Sequence, residues 1–214
     1  MSKNIKKIIS FSIVSFLVFQ ILYLVVEPQK VIAATATDDV IVTLVVGSGI
    51  TISAPGDVTM SPAISMVTNG SLGTVVWNVQ TNNVTGYKLA VKASESPALV
   101  SGVNSFADYT EASSGVPDAW SVANGDKEFG FSAFGTNTNT TTWGTGANCG
   151  TGSTPTATLK YIGFETSDRD VATQNTSTSI AGINTTVCFA AAQNNVFAPS
   201  GTYTAIITAT ATEL

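Results

Sequence analysis

The chain reads as an all-β protein, an antiparallel β-sandwich with one disulfide. Three observations predict this. Past residue 36, apolar and polar residues alternate in short stretches with a period of two. Gly, Asn, Pro and Ser punctuate those stretches. No window in that part shows the 3.6-residue apolar period of a long amphipathic helix.

The first element is not a strand. Lys3, Lys6 and Lys7 precede an apolar run from Ile8 to Val26, followed by Glu27-Pro28-Gln29-Lys30 and then Ala33-Ala34-Thr35-Ala36. A basic head, an apolar core and a small-x-small exit describe a secretory signal peptide, residues 1–36, cleaved after Ala34 or Ala36. The rival reading is an uncleaved N-terminal anchor, because the run approaches the ~20 residues that span a bilayer. Pro28 and the alanine exit favour cleavage, and Ser10, Ser12, Ser15 and Gln20 weaken the span. On either reading residues 37–214 form the sandwich domain and face outward, and the membrane is met only through the N-terminal segment.

Asp39–Val46 is nearly continuous apolar and is expected as the first strand. A second possibility is kept beside it. Flexible Gly47-Ser48-Gly49 follows, so Thr37–Val46 could leave its own domain and pair with a sheet edge of a neighbouring subunit. Ile50, Ile52 and Ala54 then alternate with Thr51 and Ser53 up to the Pro55-Gly56 turn. Val75, Trp77 and Val79 share one face, and Tyr87, Leu89 and Val91 resume it after Asn82-Asn83-Val84-Thr85-Gly86. Two periodic strands with turn residues between them predict a hairpin.

Residues 94–126 lose this regularity. A helical turn near Phe106–Tyr109 and a strand at Ala119–Ala123 are expected there. Further strands are expected at Glu128–Phe134, Thr156–Glu165 and Thr185–Ala191, with polar loops at Gly135–Pro155 and Thr166–Asn184. The closing strand sets Tyr203, Ala205, Ile207, Ala209 and Ala211 against Thr204, Thr208 and Thr210. Short strands without intervening helices fit an Ig-like or jelly-roll-like sandwich.

Composition limits the partners. Without the leader, five cations stand against the fourteen carboxylates less Glu27, a net of −8. No basic patch is visible, which argues against nucleic acid or an anionic lipid surface as a partner, and no nucleic acid is expected. Charged residues make up 11% of the chain, against about 25% in ordinary soluble domains. Thr, Ser, Asn and Gly replace them. Asn69, Asn83, Asn139, Asn175 and Asn184 each open an Asn-x-Ser/Thr triplet, which matters only in a host that glycosylates such sites.

Two cysteines, Cys149 and Cys188, both lie in the exported part. An even pair in an oxidising compartment predicts one disulfide. Free thiols or a metal pair would need partners the chain lacks, since it has no histidine and no third cysteine.

The same absence removes Ser-His-Asp and Cys-His catalysis and histidine-zinc centres. No GxxxxGK loop is present to cradle phosphate. Asp126 with Glu128, and Asp168 with Asp170, are the nearest carboxylate pairs for sugar hydrolysis, and solvated turn acids are the commoner use of such pairs. Asp168-Arg169-Asp170 also offers oxygen to calcium, but the EF-hand spacing fails at Thr173 and Ser179. The expectation is a non-enzyme with no cofactor and no metal. Trp77, among apolar strand residues, is expected in the core. Trp120 and Trp143, beside polar loops, are the candidate ligand or partner contacts.

The segment Val75-Val76-Trp77-Asn78-Val79-Gln80-Thr81-Asn82-Asn83-Val84-Thr85-Gly86-Tyr87-Lys88-Leu89 resembles the first signature of the WxL cell-surface domain of exported bacterial proteins. Gly201-Thr202-Tyr203-Thr204-Ala205 is similar to the last strand of WxL and pilin-like β-sandwiches. The chain departs from the pattern with Trp77-Asn78-Val79 in place of Trp-x-Leu. The resemblance implies non-covalent attachment to a bacterial cell wall. Composition and resemblance together lead to the expectation of a secreted or cell-surface structural or adhesion protein. Its partners would be cell-wall polysaccharide or other surface proteins, with self-assembly into a surface polymer or layer. The alternative is a carbohydrate-binding module for wall or extracellular polysaccharide, acting through Trp120 or Trp143. Ala211-Thr212-Glu213-Leu214 carries no LPxTG-type sortase motif, so retention on a cell would depend on the leader, on wall binding or on polymerisation.

Overall fold

The computed structural model describes residues 3–26 and 35–214. The chain divides into two units, Met1–Val45 and Val46–Leu214. In the first, α1 spans Lys3–Val26. Its stretch Lys7–Val25 has 19 residues, a mean hydropathy of 2.4 and no burial. By length and composition it suits a bilayer span and a signal sequence equally. Glu27-Pro28-Gln29-Lys30 and the Ala33-Ala34 exit lie outside the described residues.

The expected first strand does not form. Residues 35–49 take no helix, strand or turn, and Val40, Ile41, Val42, Leu44, Val45 and Val46 are 74–91% exposed. A β-branched run supplies strand propensity but no partner. The edge beside the long second strand is taken by Ile50–Ile52 instead.

The second unit is a sandwich. Its larger sheet runs from β1 (Ile50–Ile52) through β2 (Gly70–Thr81), β11 (Ile183–Gln193), β6 (Lys127–Gly135) and β5 (Asn104–Asp108) to β4 (Leu99–Ser101), and β9 (Ile162–Gly163) adds to β6. The smaller sheet is β10 (Arg169–Gln174), β3 (Tyr87–Ala93) and β12 (Ile207–Glu213). A short hairpin, β7 (Gly150–Thr151) with β8 (Thr154–Pro155), and one helical turn, α2 (Thr140–Trp143), complete the elements. The pairings are antiparallel except that β5 lies parallel to β6.

Period-two alternation builds the main core. Val75, Trp77 and Val79 of β2, Phe129 and Phe131 of β6 and Val187 and Phe189 of β11 face Tyr87, Leu89 and Val91 of β3 and Val171 of β10. Each such side chain contributes about 1.5–3 kcal/mol by leaving water. Trp77 belongs to this core, as the sequence predicts.

A second cluster covers the opposite face of the larger sheet. Tyr109, Leu159 and Tyr161 pack there with Cys149, Cys188 and Ala190. This explains why Val187-Cys188-Phe189-Ala190-Ala191 reads as continuous rather than alternating: it is buried on both sides. The predicted disulfide joins Cys149 to Cys188 with Cα atoms 5.3 Å apart, tying the covering loop to the central strand.

The predicted hairpin is corrected. β2 pairs with β1 and β11, whereas β3 pairs with β10 and β12, so Asn82–Gly86 arches from one sheet to the other. Both strands keep the expected inward residues. Asn83 and Thr85 side chains hold the Leu214 carbonyl, and the Asn82 side chain accepts from Gly49 N at 2.7 Å and donates to Gly47 O at 2.8 Å. Turn residues of this kind serve an arch and a hairpin alike.

Other elements shift too. Phe106–Tyr109 is not a helical turn, since Asn104–Asp108 is β5. Ala119–Ala123 forms no strand, and only Asp118 bridges to Tyr161. The ladder expected over Thr156–Glu165 shrinks to Ile162–Gly163. The loop read at Thr166–Asn184 contains β10, whose Arg169 and Asp170 mask it as a strand.

Candidate functional site

One shallow cleft of about 380 Å³ opens between the loop after β6 and the strand β10. Thr136, Asn137, Thr138, Asn139, Thr142 and Trp143 form one wall, and Asp170 to Thr173 the other. The wall is shaped locally. Thr138 N and Oγ1 both donate to Gly135 O, at 3.3 and 2.8 Å. Asn139 caps α2 by accepting from Thr141 N at 2.9 Å and Thr142 N at 3.4 Å. Thr173 N donates to Asn137 O at 2.9 Å, which joins the two walls.

Trp143 lies under this cleft, 2% exposed, with its ring 5.5 Å from that of Phe131. Asn137 is buried beside it. Its Nδ2 donates to Tyr87 Oη at 2.7 Å and its Oδ1 accepts from Thr185 Oγ1 at 3.1 Å. Burial pushes the Tyr87 phenol up, and the Asn137 bond opposes that. The mouth therefore offers threonine hydroxyls, the Asn139 amide and the Asp170 carboxylate. Such a lining offers hydrogen bonds to a neutral polyhydroxyl ligand.

Trp120 sits elsewhere. Its ring stacks on Tyr109 at 4.6 Å and meets Tyr161 edge-on at 5.3 Å, against the cluster on the other face of the larger sheet. Tyr109 Oη donates to Asp118 Oδ1 at 2.7 Å and accepts from Ser121 N at 3.2 Å. Burial, followed by the bond to Asp118, pushes this phenol up. Burial does the same to Tyr161. The two tryptophans are not brought together. Trp120 is half-buried as part of a loop cover, and Trp143 is a core residue beneath a cleft.

Three of the four acidic candidates are engaged in structure. Asp170 of β10 pairs with Lys88 of β3 at 2.7 Å, and Asp168, just before β10, with Lys92 at 3.6 Å. These pairs are half-exposed and add at most about 1 kcal/mol each. Glu128 is buried, and burial raises its carboxyl, against the opposing bond from Thr110 N at 3.3 Å. Among the described residues no group of three or more His, Cys, Asp or Glu is placed to hold a metal.

The Tyr87–Asn137–Thr185 link was not visible in the sequence. Asn137 lies in a stretch of Thr and Asn where no residue stands out. No family model, no curated protein and no solved structure matches this chain.

Proposed function

We propose that this chain is an exported, non-enzymatic protein of the cell surface, with a structural or adhesive role. The observation that carries the reading is the combination of an apolar leader helix with an all-β body whose only two cysteines are joined. Disulfides persist outside the reducing cytosol. Three of the four acids weighed for catalysis, Asp168, Asp170 and Glu128, are engaged in ion pairs or a structural hydrogen bond, which favours a scaffold over a reaction centre.

Immunogold electron microscopy of producing cells, with alkylation of the protein under non-reducing conditions, tests this. Gold on the cell exterior and protected Cys149 and Cys188 are expected. Label confined to the cytoplasm with both thiols reactive would overturn it.

A second reading is favoured by the cleft above Trp143: binding of a wall or extracellular polysaccharide. Retention on purified polysaccharide should survive Trp120→Ala and be lost in Thr136→Arg, which fills the mouth from an exposed wall position. Equal retention of wild type and Thr136→Arg would remove this reading.

A further inference from the structure

Two edges close the smaller sheet, and they are built differently. β10 carries Arg169 and Asp170 and breaks register against β3 between Asp170 and Ala172. Charge and bulges are how natural sheets guard an edge. β12 has no such guard over most of its length. Ile207–Glu213 pairs with β3 without a register break, and only its last residue is charged.

Backbone direction along β12 follows from its flanking bonds. Ser94 N donates to Ile206 O at 3.0 Å, and Leu214 N to Gly86 O at 3.2 Å. Even-numbered residues thus turn their backbone groups toward β3, and Ile207, Ala209 and Ala211 present theirs to the outer edge. No described strand pairs with that edge.

The side chains of the same odd-numbered residues point into the core, yet Ile207, Ala209 and Ala211 stay only half-buried, as do Tyr203 and Ala205 before them. Ile50 of the nearby β1, with Val58 and Met60 after it, is half-buried as well. The core is therefore incompletely covered along this flank. At the foot of β12, Glu213 Oε1 is buried with no hydrogen-bond partner among the described residues.

The chain also carries a strand former that no described strand pairs with. Val40-Ile41-Val42-Thr43-Leu44-Val45-Val46 is apolar, uncharged and exposed, with Val40, Val42, Leu44 and Val46 on one alternating face. Just after it, Asn82 holds Gly47 and Gly49, and Ser48 Oγ donates to Glu213 Oε2 at 3.1 Å. Residues 47–49 take no turn.

We propose that Val40–Val46 of one copy lies as an added strand along the free edge of β12 in a second copy, covering its Ala205–Ala211 flank. The main-chain bonds supply affinity, and the alternating valines and Leu44 fill the space beside the alanines. Donor and acceptor are different parts of the chain, so the contact is head-to-tail and propagates as a filament. This names the partner within the surface-protein reading and rests on it.

The test uses the chain produced with its own leader and recovered from the cell exterior, as wild type, Leu44→Pro and Ala209→Pro. The Ala209 N–H points away from β3, so proline there spares the existing ladder, and an unchanged Tm reports an intact fold. Size-exclusion chromatography and electron microscopy should show wild-type oligomers. Each variant alone should lose them by about tenfold or more, since the added strand loses a ladder bond and its alignment. Mixed together, the two variants should form a 1:1 dimer, because one keeps an intact edge and the other an intact donor. Independently of Ala209→Pro, a synthetic peptide of residues 37–47 should bind the Leu44→Pro chain one to one and raise its Tm.

Undiminished oligomers in Leu44→Pro would overturn the proposal, as would absence of peptide binding. A monomeric wild type whose Tm falls in Leu44→Pro would make the segment the chain's own strand instead. Surface labelling is read separately, so loss of assembly with gold still outside the cell sinks this proposal alone.

Discussion

Asn137 joins Tyr87 of the smaller sheet to Thr185 of the larger one, by hydrogen bonds of 2.7 and 3.1 Å inside the core. The three side chains are buried, so each bond satisfies a group that would otherwise lie unpaired away from water. Removing the central member strands both outer hydroxyls. Asn137→Leu should cost about 2–3 kcal/mol, and Tyr87→Phe, which leaves a single donor of Asn137 unpaired, nearer 1 kcal/mol. Urea unfolding of the two variants checks the ordering, and equal losses would contradict it.

The disulfide should matter to the outer cluster more than to the sandwich core. Cys149 and Cys188 lie 39 residues apart in sequence. Replacing both by serine should cost about 2–4 kcal/mol. Hydrogen exchange in the double variant should speed up first around Tyr109, Leu159 and Tyr161, which pack over the bridge. Uniform acceleration across β2, β3 and β6 would show that the bridge supports the whole domain instead.

Gly86 ends the arch between β2 and β3 with φ at +85°, and a Cβ added there would fall 1.8 Å from Gln174 O. Neither the backbone angle nor the contact tolerates a side chain. Gly86→Ala should cost about 3 kcal/mol or more. Gly102, also at positive φ but facing open space, should lose only about 1 kcal/mol as alanine. A thermal melt of both variants decides whether the close approach to β10 carries the difference.

Glu128 gives a signed dependence on pH. Burial, with the nearby Asp126 and Glu111 charges adding to it, raises its carboxyl above the ordinary 4.5. The folded state therefore binds this proton more tightly than the unfolded state. Its contribution is fully present below pH 4.5 and is lost as pH rises through the folded value. Glu128→Gln keeps an acceptor for Thr110 N and carries no charge. It should be more stable than wild type at neutral pH, and the advantage should vanish in acid. A stability difference that grows on acidification would reverse this assignment.

The value and the limit of periodicity are both visible in β2 and β3. Every inward residue assigned from the sequence, from Val75 and Trp77 to Leu89 and Val91, is buried. Their pairing differs from the hairpin that the sequence predicts, because alternation marks which side of a strand meets the core and carries no information about its neighbour. Asn82 to Gly86 would bend the chain either way. β10 escaped notice for a different reason. Arg169 and Asp170 look like loop residues, and only the fold shows how an edge strand accommodates them: Asp170 pairs with Lys88 of β3, and Arg169 donates to Gly115 O. Trp143 shows a third limit: its polar loop folds back over it, so the tryptophan lies buried at the floor of a cleft, which its place in the sequence does not reveal.

By itself, the amino-acid order determined the all-β class, the apolar N-terminal helix, the inward faces and the cysteine pairing, since each depends on local period or simple counting. The tertiary structure alone decided which strands adjoin, that Cys188 and Ala190 are covered on the outer side, and that Asn137 links the sheets. It also decided that, among the described residues, no strand pairs with Val40–Val46 or with the outer edge of β12. The physical reason is range. Propensity acts over neighbouring residues, whereas pairing and burial depend on groups a hundred positions apart competing for the same surface.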